Sequence, residues 1–348
     1  MNTTQKEFPL AQPNFLSTVR NQESGFAFGQ PQRVGEKSLA VVLPILRQTD
    51  DLRNYITFSE TEKVNVTDTG QIDEFQFQNQ TDDNVFIRSG TIFTGKTQAR
   101  ALQRSAVLLP KEKTILKVRC VHASHGISPG AAVKYDGITP LDLDKGNYDV
   151  GYVAKDQQAY WSNVHKSTAN MYSIGAAHGM VSHVAPDAAE ITFGHSNLRA
   201  RGLSAGSDNL SDHFKNFAKN FDSLLAKVKR VADQVGLALI TDAGVETVEL
   251  FEHADSWKAL HDAAVKRLGP DLAKIDANAL FEPKLDKARV LVDQVLTLPY
   301  KFNLLATNQP QHDDPHVEVF GMTAGNFVGE MVLIDGKVIH LVLPKTDS

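Results

Sequence analysis

Between Gly90 and Thr97 the chain reads Gly-Thr-Ile-Phe-Thr-Gly-Lys-Thr, which satisfies the phosphate-loop pattern G-x-x-x-x-G-K-[ST]. That pattern forces a choice between two architectures. A working phosphate loop sits between a buried parallel strand and a helix, and its glycines let consecutive backbone N–H groups cradle phosphate. Here the interior, Thr91-Ile-Phe-Thr94, is β-branched and aromatic, a composition that prefers extended backbone. The residues upstream are consecutive strand-like runs, whereas a nucleotide fold needs strands alternating with helices. Val85-Phe-Ile-Arg88 and Thr91–Thr94 flank Ser89-Gly90, which reads as a two-residue hairpin turn. Asp335, the aspartate best placed to direct magnesium, is followed by Gly336 inside another hairpin pattern. The stretch is therefore expected to be pleated, with nucleotide hydrolysis through Gly95, Lys96 and Thr97 kept as an alternative.

The rest of the first third agrees with strands. Leu39–Leu46 is apolar and β-branched, Val64 and Val66 alternate with polar neighbours, and so do Phe75 and Phe77. Leu116, Val118, Cys120 and His122 share one face of a further run. Residues 1 to 36 are polar and interrupted by Pro9, Pro13, Gly25, Gly29 and Pro31, and are expected to form an irregular arm. Residues 37–348 then make one α+β domain, β-rich over 37–125 and 236–343 and helical over 154–235 and 254–298. Gly126 to Gly151 reads as a long loop, and 173–210, rich in Gly, Ala, Ser and His, as an insertion. Phe214, Phe217, Phe221, Leu224, Leu225, Val228, Val231 and Val235 recur at helical spacing, with Ser211 before them and Gly236 as the expected stop. A second helix, capped by Asp255, carries Trp257, Leu260, Ala264 and Leu268 and ends at Gly269-Pro270. Asp242-Ala-Gly244 and Asp335-Gly336 mark closing hairpins.

Composition narrows the function classes. With 42% apolar and 22% charged residues and a net charge of -5, the chain has no overall basic field to attract nucleic acid or anionic lipid. One cysteine cannot make an intrachain disulfide, which suits a reducing compartment. The first residues lack a signal-peptide pattern, and no run of eighteen apolar residues occurs, so the expectation is cytoplasmic, with no membrane and no nucleic-acid partner.

Candidate chemistry is scattered. Gln98 and Arg100 are expected in a loop, where the amide could orient a ligand and the guanidinium clamp a carboxylate or phosphate; the plainer alternative is a loop-fixing hydrogen bond with an ion pair. His122 shares a face with Cys120 and His125 follows, which would suit a thiolate, although a cysteine between valines is more often a core residue. His312-Asp-Asp-Pro-His316 (His312, Asp313, Asp314, His316) is the densest metal-like cluster, at a spacing that matches no standard site; His178, His183 and His195 could join it only through the fold. No nucleophile-elbow serine, zincin motif or paired-cysteine zinc pattern occurs.

Taken in order, several segments resemble the signature of one family. They are Gly90…Gly95…Gln98-Ala-Arg100, Val107 and Pro110, Val118-Arg-Cys120-Val121, Trp161-Ser-Asn-Val164, Ser167-Thr168, Gln234-Val235-Gly236, Val248-Glu-Leu-Phe251, Trp257-Lys-Ala-Leu260 and Val338-Ile-His340-Leu. The family is ARPP type one, the ARG and rhodanese-phosphatase-superfamily-associated proteins, where ARG is ADP-ribosylglycohydrolase. This chain has Ala99 where the family usually has asparagine, and His122 and Ser124-His125-Gly126 where it usually has glutamate and Gly-Arg-Trp. The resemblance implies a mainly β fold with a helical segment and an association with ADP-ribose hydrolases; it supplies no reaction and no cofactor. The expected fold is α+β: a mainly antiparallel, sandwich-like β body with helices packed on it. The expected function is a binding or scaffold module for a protein partner or a second copy. The alternative is an enzyme or binder for a phosphorylated or ADP-ribosylated small molecule, using Gln98, Arg100, His122, His125, Ser167 and Thr168.

Overall fold

A computed structural model describes residues 12–35, 40–95, 99–121, 128–149, 160, 163, 164, 167, 225–272, 280–308 and 314–346. The chain begins with α1 (Gln12–Arg20), β1 (Phe26–Phe28), β2 (Gln32–Val34) and β3 (Ala40–Arg47), followed by β4 (Tyr55–Thr57). Short strands then succeed one another: β5 (Val64–Asp68), β6 (Glu74–Asn79), β7 (Asn84–Ile87), β8 (Thr91–Thr94), β9 (Ala99–Leu102), β10 (Ala106–Leu108), β11 (Lys113–Cys120) and β12 (Lys134–Ile138). After α2 (Leu141–Asp149) come β13 (Gln234–Thr241), β14 (Gly244–Phe251), α3 (Ala254–Lys266), α4 (Gly269–Leu272) and α5 (Leu285–Leu296). The described chain closes with β15 (Lys301–Thr307), β16 (Val317–Ala324), β17 (Phe327–Ile334) and β18 (Lys337–Pro344). The α+β class and the mainly antiparallel body expected from the sequence are what the chain adopts.

Nine strands form one sheet in the order β1-β3-β13-β14-β18-β17-β16-β15, with β2 also on β3. Its central strands are buried on both faces, so they read as continuous apolar runs rather than as alternation; β13 is buried at every position. One face, with Leu43, Ile45, Leu250 and Leu341, lies under α1 and α5 through Leu16, Val19, Ala288, Val292 and Val295. The other face, with Leu239, Phe251, Val332 and Ile339, lies under Trp257, Leu260 and Ala264 of α3 and against Ile92, Ala101 and Val121.

The remaining strands make two small units. β10-β7-β4 is a three-stranded sheet, in which β4 and β7 run parallel. The order β12-β8-β9-β11-β6-β5 closes on itself: Thr67 bridges Ala132 antiparallel, and Val133 N donates to Val66 O at 3.0 Å. The result is a six-stranded barrel filled by Phe75, Phe77, Phe93, Leu102 and Val118, with Phe93 meeting Phe75 and Phe77 edge to face.

Five expectations change. The segment read as an irregular arm holds, within residues 12–35, a helix and two strands, because Leu16, Val19, Phe26 and Val34 bury themselves against the large sheet. Ser89-Gly90 turns, with Gly90 at φ +74, but β7 and β8 do not pair. β7 hydrogen-bonds to β10 and β4 while β8 goes to β9 and β12, so the turn carries the chain from the small sheet into the barrel. The stretch read as a loop over 126–151 contains α2, which starts after Pro140 with Leu141 and Leu143 fully buried and Asp142 and Asp144 in its first turn. The long phenylalanine helix lies mostly outside the described residues, but it does not reach Gly236. The chain is non-helical by Val228, β13 begins at Gln234, and a Cβ on Gly236 would run into Glu249 and Leu250 of the neighbouring strand. α3 is capped by His253, with Asp255 inside its first turn. The two expected hairpins form, joining β13 to β14 and β17 to β18.

Candidate functional site

The layers meet at a cluster of buried charges. Arg88 directly follows β7, just before the sheet-to-barrel turn, Asp144 lies on α2, Glu249 on β14 and His340 on β18, and Arg267 follows α3. Arg88 donates from Nε to Glu249 Oε1 at 2.5 Å and from Nη2 to Asp144 Oδ2 at 3.1 Å. Arg267 repeats the pattern, from Nη1 to Glu249 Oε2 at 2.7 Å and from Nη2 to Asp144 Oδ2 at 2.9 Å. Two guanidinium groups thus face two carboxylates, all four side chains at most 3% exposed. Asp144 Oδ1 accepts from Thr139 Oγ1, and Gly90 is tight against the same group: a Cβ there would strike Thr139, Asp144 and Arg88. A left-handed glycine is needed for the turn and for the space.

The electrostatics follow from burial and pairing. Burial pushes the Glu249 carboxyl up, but Arg88 and Arg267 outweigh it and hold the group well below the usual carboxylate range. Burial lowers His340 despite its contact with Glu249, so the imidazole is neutral and donates from Nε2 to Glu249 Oε1 at 3.2 Å. Glu330 on β17 goes the other way: burial raises its pKa, although Ser105 N and Oγ donate to Oε2 at 3.1 and 2.9 Å. Glu249 and Glu330 flank Val342 across three adjacent strands, so one row of the sheet carries a carboxyl held down by two arginines and another pushed up by burial. Ser105 Oγ also accepts from Ser89 N at 2.9 Å, and Ser89 Oγ meets the Tyr148 hydroxyl at 2.6 Å; burial raises that phenol well above its ordinary value. Glu330 Oε1, His340 Nδ1 and Arg267 Nε are the cluster's polar atoms without partners.

A third buried arginine closes one end of the barrel. The sequence puts Arg100 in a loop; the chain puts it on β9, fully buried, with Nη2 donating to Asp68 Oδ2 at 3.1 Å. Its Nη1 donates to Gln71 O and Glu74 O at 3.0 and 3.1 Å, and the guanidinium lies 4.5 Å from the centre of the Phe75 ring. Cys120 is buried beside it, and burial raises the thiol against the pull of Arg100, the reverse of what an activated thiolate needs.

The other residues named from the sequence are dispersed. Thr91–Thr94 form β8, antiparallel to β9 and β12, so the interior of the phosphate-loop pattern is extended and its amides do not converge. Gly95 directly follows that strand, whereas Lys96, Thr97, Gln98, His122, His125 and Thr168 lie outside the described residues, as do His178, His183, His195, His312 and Asp313. Ser167 is buried in a helical segment and donates to Asp142 Oδ1 at 2.7 Å. Asp314 and His316 are exposed; His316 N donates to Asp335 Oδ1 at 2.8 Å and its Nε2 meets Thr307 Oγ1 at 3.2 Å. Among the described residues no three His, Cys, Asp or Glu side chains group as metal ligands. No helix among them is long and apolar enough to cross a membrane.

The members of the charge cluster went unmarked in the sequence because each is a single ionisable residue in a different segment. A signal did exist: Arg88 in Val-Phe-Ile-Arg, Glu249 in Thr-Val-Glu-Leu-Phe, Glu330 in Gly-Glu-Met-Val and His340 in Val-Ile-His-Leu-Val interrupt runs buried on both faces. A charge at such a position has to find a partner across the core.

An antiparallel β-rich α+β protein with a closed ionic centre at the junction of its layers is the class this architecture defines. The chain belongs to the ARG and Rhodanese-Phosphatase-superfamily-associated Protein domain family, ARPP-1, whose family model matches residues 25–344. No curated protein and no solved structure matches the chain.

Proposed function

We propose that this ARPP-1 chain works as a binding or scaffold module in which the buried ionic centre fixes the shape of the surface rather than performing a reaction. One observation carries this: Arg88, Arg267 and Arg100, the fully buried cations best suited to clamp a phosphate, already spend most of their donors on Glu249, Asp144, Asp68 and backbone carbonyls, the Nε of Arg267 and of Arg100 excepted. A guanidinium committed to an internal carboxylate has little left for an external anion, and releasing it would leave a buried charge unpaired. The family's name supports a second reading, a binder or enzyme for an ADP-ribosylated or phosphorylated small molecule. That reading rests on Gln98, Arg100 and His122. Calorimetry of the full chain with ADP-ribose, ATP and GTP separates the two. The scaffold reading expects no saturable heat from any of them; saturable heat with ADP-ribose would replace it with the second reading.

A further inference from the structure

The start of α3 holds a polar junction of its own, apart from the ionic centre. His253 is the cap residue, yet its side chain makes no capping bond, and its Nε2 is buried without a hydrogen-bond partner. Glu252 Oε2 stands 3.8 Å from that nitrogen, and Glu252 Oε1 stands 3.5 Å from Arg47 Nη1 at the end of β3. The three side chains are each only 10% exposed. Arg47 Nη1 also donates to the Glu252 carbonyl at 3.0 Å, and its guanidinium lies 5.0 Å from the centre of the Phe26 ring. Close by, Arg53 donates from Nη1 and Nη2 to the Glu60 carboxylate, at 2.8 Å each, and from Nη1 to Ser256 Oγ at 3.2 Å. Ser256 Oγ donates to Tyr55 Oη at 3.0 Å, and Ser59 Oγ to Ala259 O at 3.2 Å. These contacts fasten residues 47–60 to the first residues of α3.

One carboxylate, Glu252, therefore faces two bases, and Arg47 already holds it. The other described charges that act on His253 are Arg53 and Asp51, the latter half exposed and 3.4 Å from Arg47 Nη2; Asp255, exposed in the first turn of α3, acts on Arg53. A proton added to His253 sets a third cation beside two guanidinium groups, out of water and at the positive end of a helix of 13 residues. Its compensation is Glu252, at the expense of the contact with Arg47. We infer that His253 is an acid-sensitive latch: neutral, it leaves Glu252 and Arg47 to hold residues 47–60 against the start of α3; protonated, it draws Glu252 away and loosens that contact. Burial keeps the imidazole below its ordinary value of 6.5, with Arg47 and Arg53 acting alongside and Glu252 and Asp51 opposing. Above that value the histidine is neutral whether the latch is closed or open, and the latch has its full strength. As pH falls below it, the open form takes up a proton that the closed form resists, so closure weakens by up to about tenfold per pH unit until the closed form is protonated too. The latch goes beyond the scaffold reading, because it sets a condition under which part of the surface lets go.

Hydrogen exchange of the full chain between pH 7 and pH 5, corrected for the intrinsic pH dependence of exchange, tests it in the wild type and in His253→Gln. Over residues 47–60 and 254–259 the wild type should lose about tenfold or more of its protection on acidification. That loss should follow a one-proton curve, a readout that does not depend on the variant. Glutamine cannot take up the proton, so His253→Gln, its fold checked by circular dichroism, should keep the same protection in those segments across the range. The His253 ring, followed by nuclear magnetic resonance and assigned by its absence from the variant, should titrate below 6.5. Wild-type protection that does not change with pH, an equal loss in both proteins, or a ring that titrates at or above its ordinary value overturns the latch. The calorimetric test at neutral pH is untouched by any of these results, so the latch and the scaffold reading fail separately.

Discussion

The ionic centre around Glu249 and the barrel end around Arg100 solve one problem at two ranges. Both bury a guanidinium completely. At the barrel end the partners are near in sequence: Asp68 and the carbonyls of Gln71 and Glu74 lie on two neighbouring strands and the turn between them, with Phe75 as a lid. At the ionic centre Arg88, Asp144, Glu249, Arg267 and His340 come from five segments of the chain and from every layer of the fold. The first cluster fixes one unit; the second fixes how the units sit together. A long-range network of this kind forms only once the layers have docked, so it specifies the assembled arrangement more than it adds net stability.

Removing one charge from each region should expose that difference. Glu249→Gln leaves two arginines facing a single carboxylate inside the core, and an uncompensated buried charge costs about 3–5 kcal/mol. Because Glu249 ties β14 to β7, β18 and Arg267, unfolding by near-ultraviolet circular dichroism should show a large loss of midpoint, with the cooperativity of the transition reduced. Arg100→Met should cost about 3 kcal/mol, near the low end of the same range, since Asp68 keeps backbone partners at Gly70 and Ser128. Its effect should also stay in the barrel: hydrogen exchange should quicken in β5, β6 and β9 and not in β13 or β14. Equal spreading of the two perturbations would remove the distinction between a local and a global cluster.

What the sequence disclosed divides along the same line. Turn chemistry and periodicity act over a few residues, so the hairpins at Asp242–Gly244 and Asp335–Gly336, the stripe of α3 and the pleated character of Thr91–Thr94 were all legible. The strand switch at Ser89-Gly90 was not, because the local pattern is that of a hairpin and the choice of neighbour is made by Arg88 reaching Glu249, 161 residues away. α2 was hidden for a similar reason: its few apolar side chains are half the pattern, and Asp144 and Lys145 are buried against partners that only the fold supplies. Arg100 was singled out for its charge, but its burial depends on barrel closure between residues 66–67 and 132–133, which no local signal announces.

Glu330 offers a smaller and pH-resolved test. Its pKa in the folded chain is raised by burial, so below the ordinary carboxylate range it is protonated in both states and has no effect on stability. As pH rises through that range the unfolded chain loses the proton and the folded chain keeps it. Stability then falls at up to about 1.4 kcal/mol per pH unit until the folded group ionises. Glu249 contributes with the opposite sign: its stabilisation is present above the unfolded carboxylate pKa and is lost as pH falls through its depressed folded value. Glu330→Gln keeps an acceptor for Ser105 and cannot ionise. The variant should therefore gain stability relative to wild type on going from pH 4 to neutrality, measured by urea midpoints. A difference between the two proteins that does not change with pH would mean that the fold leaves the Glu330 pKa where it is in the unfolded chain.

The weakest effect belongs to a charge cluster outside both buried regions. Lys117 on β11 donates to Asp73 Oδ2 and Glu74 Oε1 at 2.8 and 2.7 Å, distances as short as those at the ionic centre, yet its side chain is half exposed. Water already solvates these groups in the unfolded chain, so little desolvation has to be recovered and little Coulomb energy is gained. Lys117→Ala should shift stability by no more than about 0.5 kcal/mol, and that shift should fade with added salt. The pair also sits over the segment that Arg100 holds, since Glu74 supplies its carbonyl to Arg100 and its carboxylate to Lys117. Combining Lys117→Ala with Arg100→Met therefore asks whether the surface contact becomes worth more once the buried one is gone. Near-additivity places the whole hold on this segment inside the barrel, and a coupling above about 0.5 kcal/mol makes the exposed lysine part of the same device.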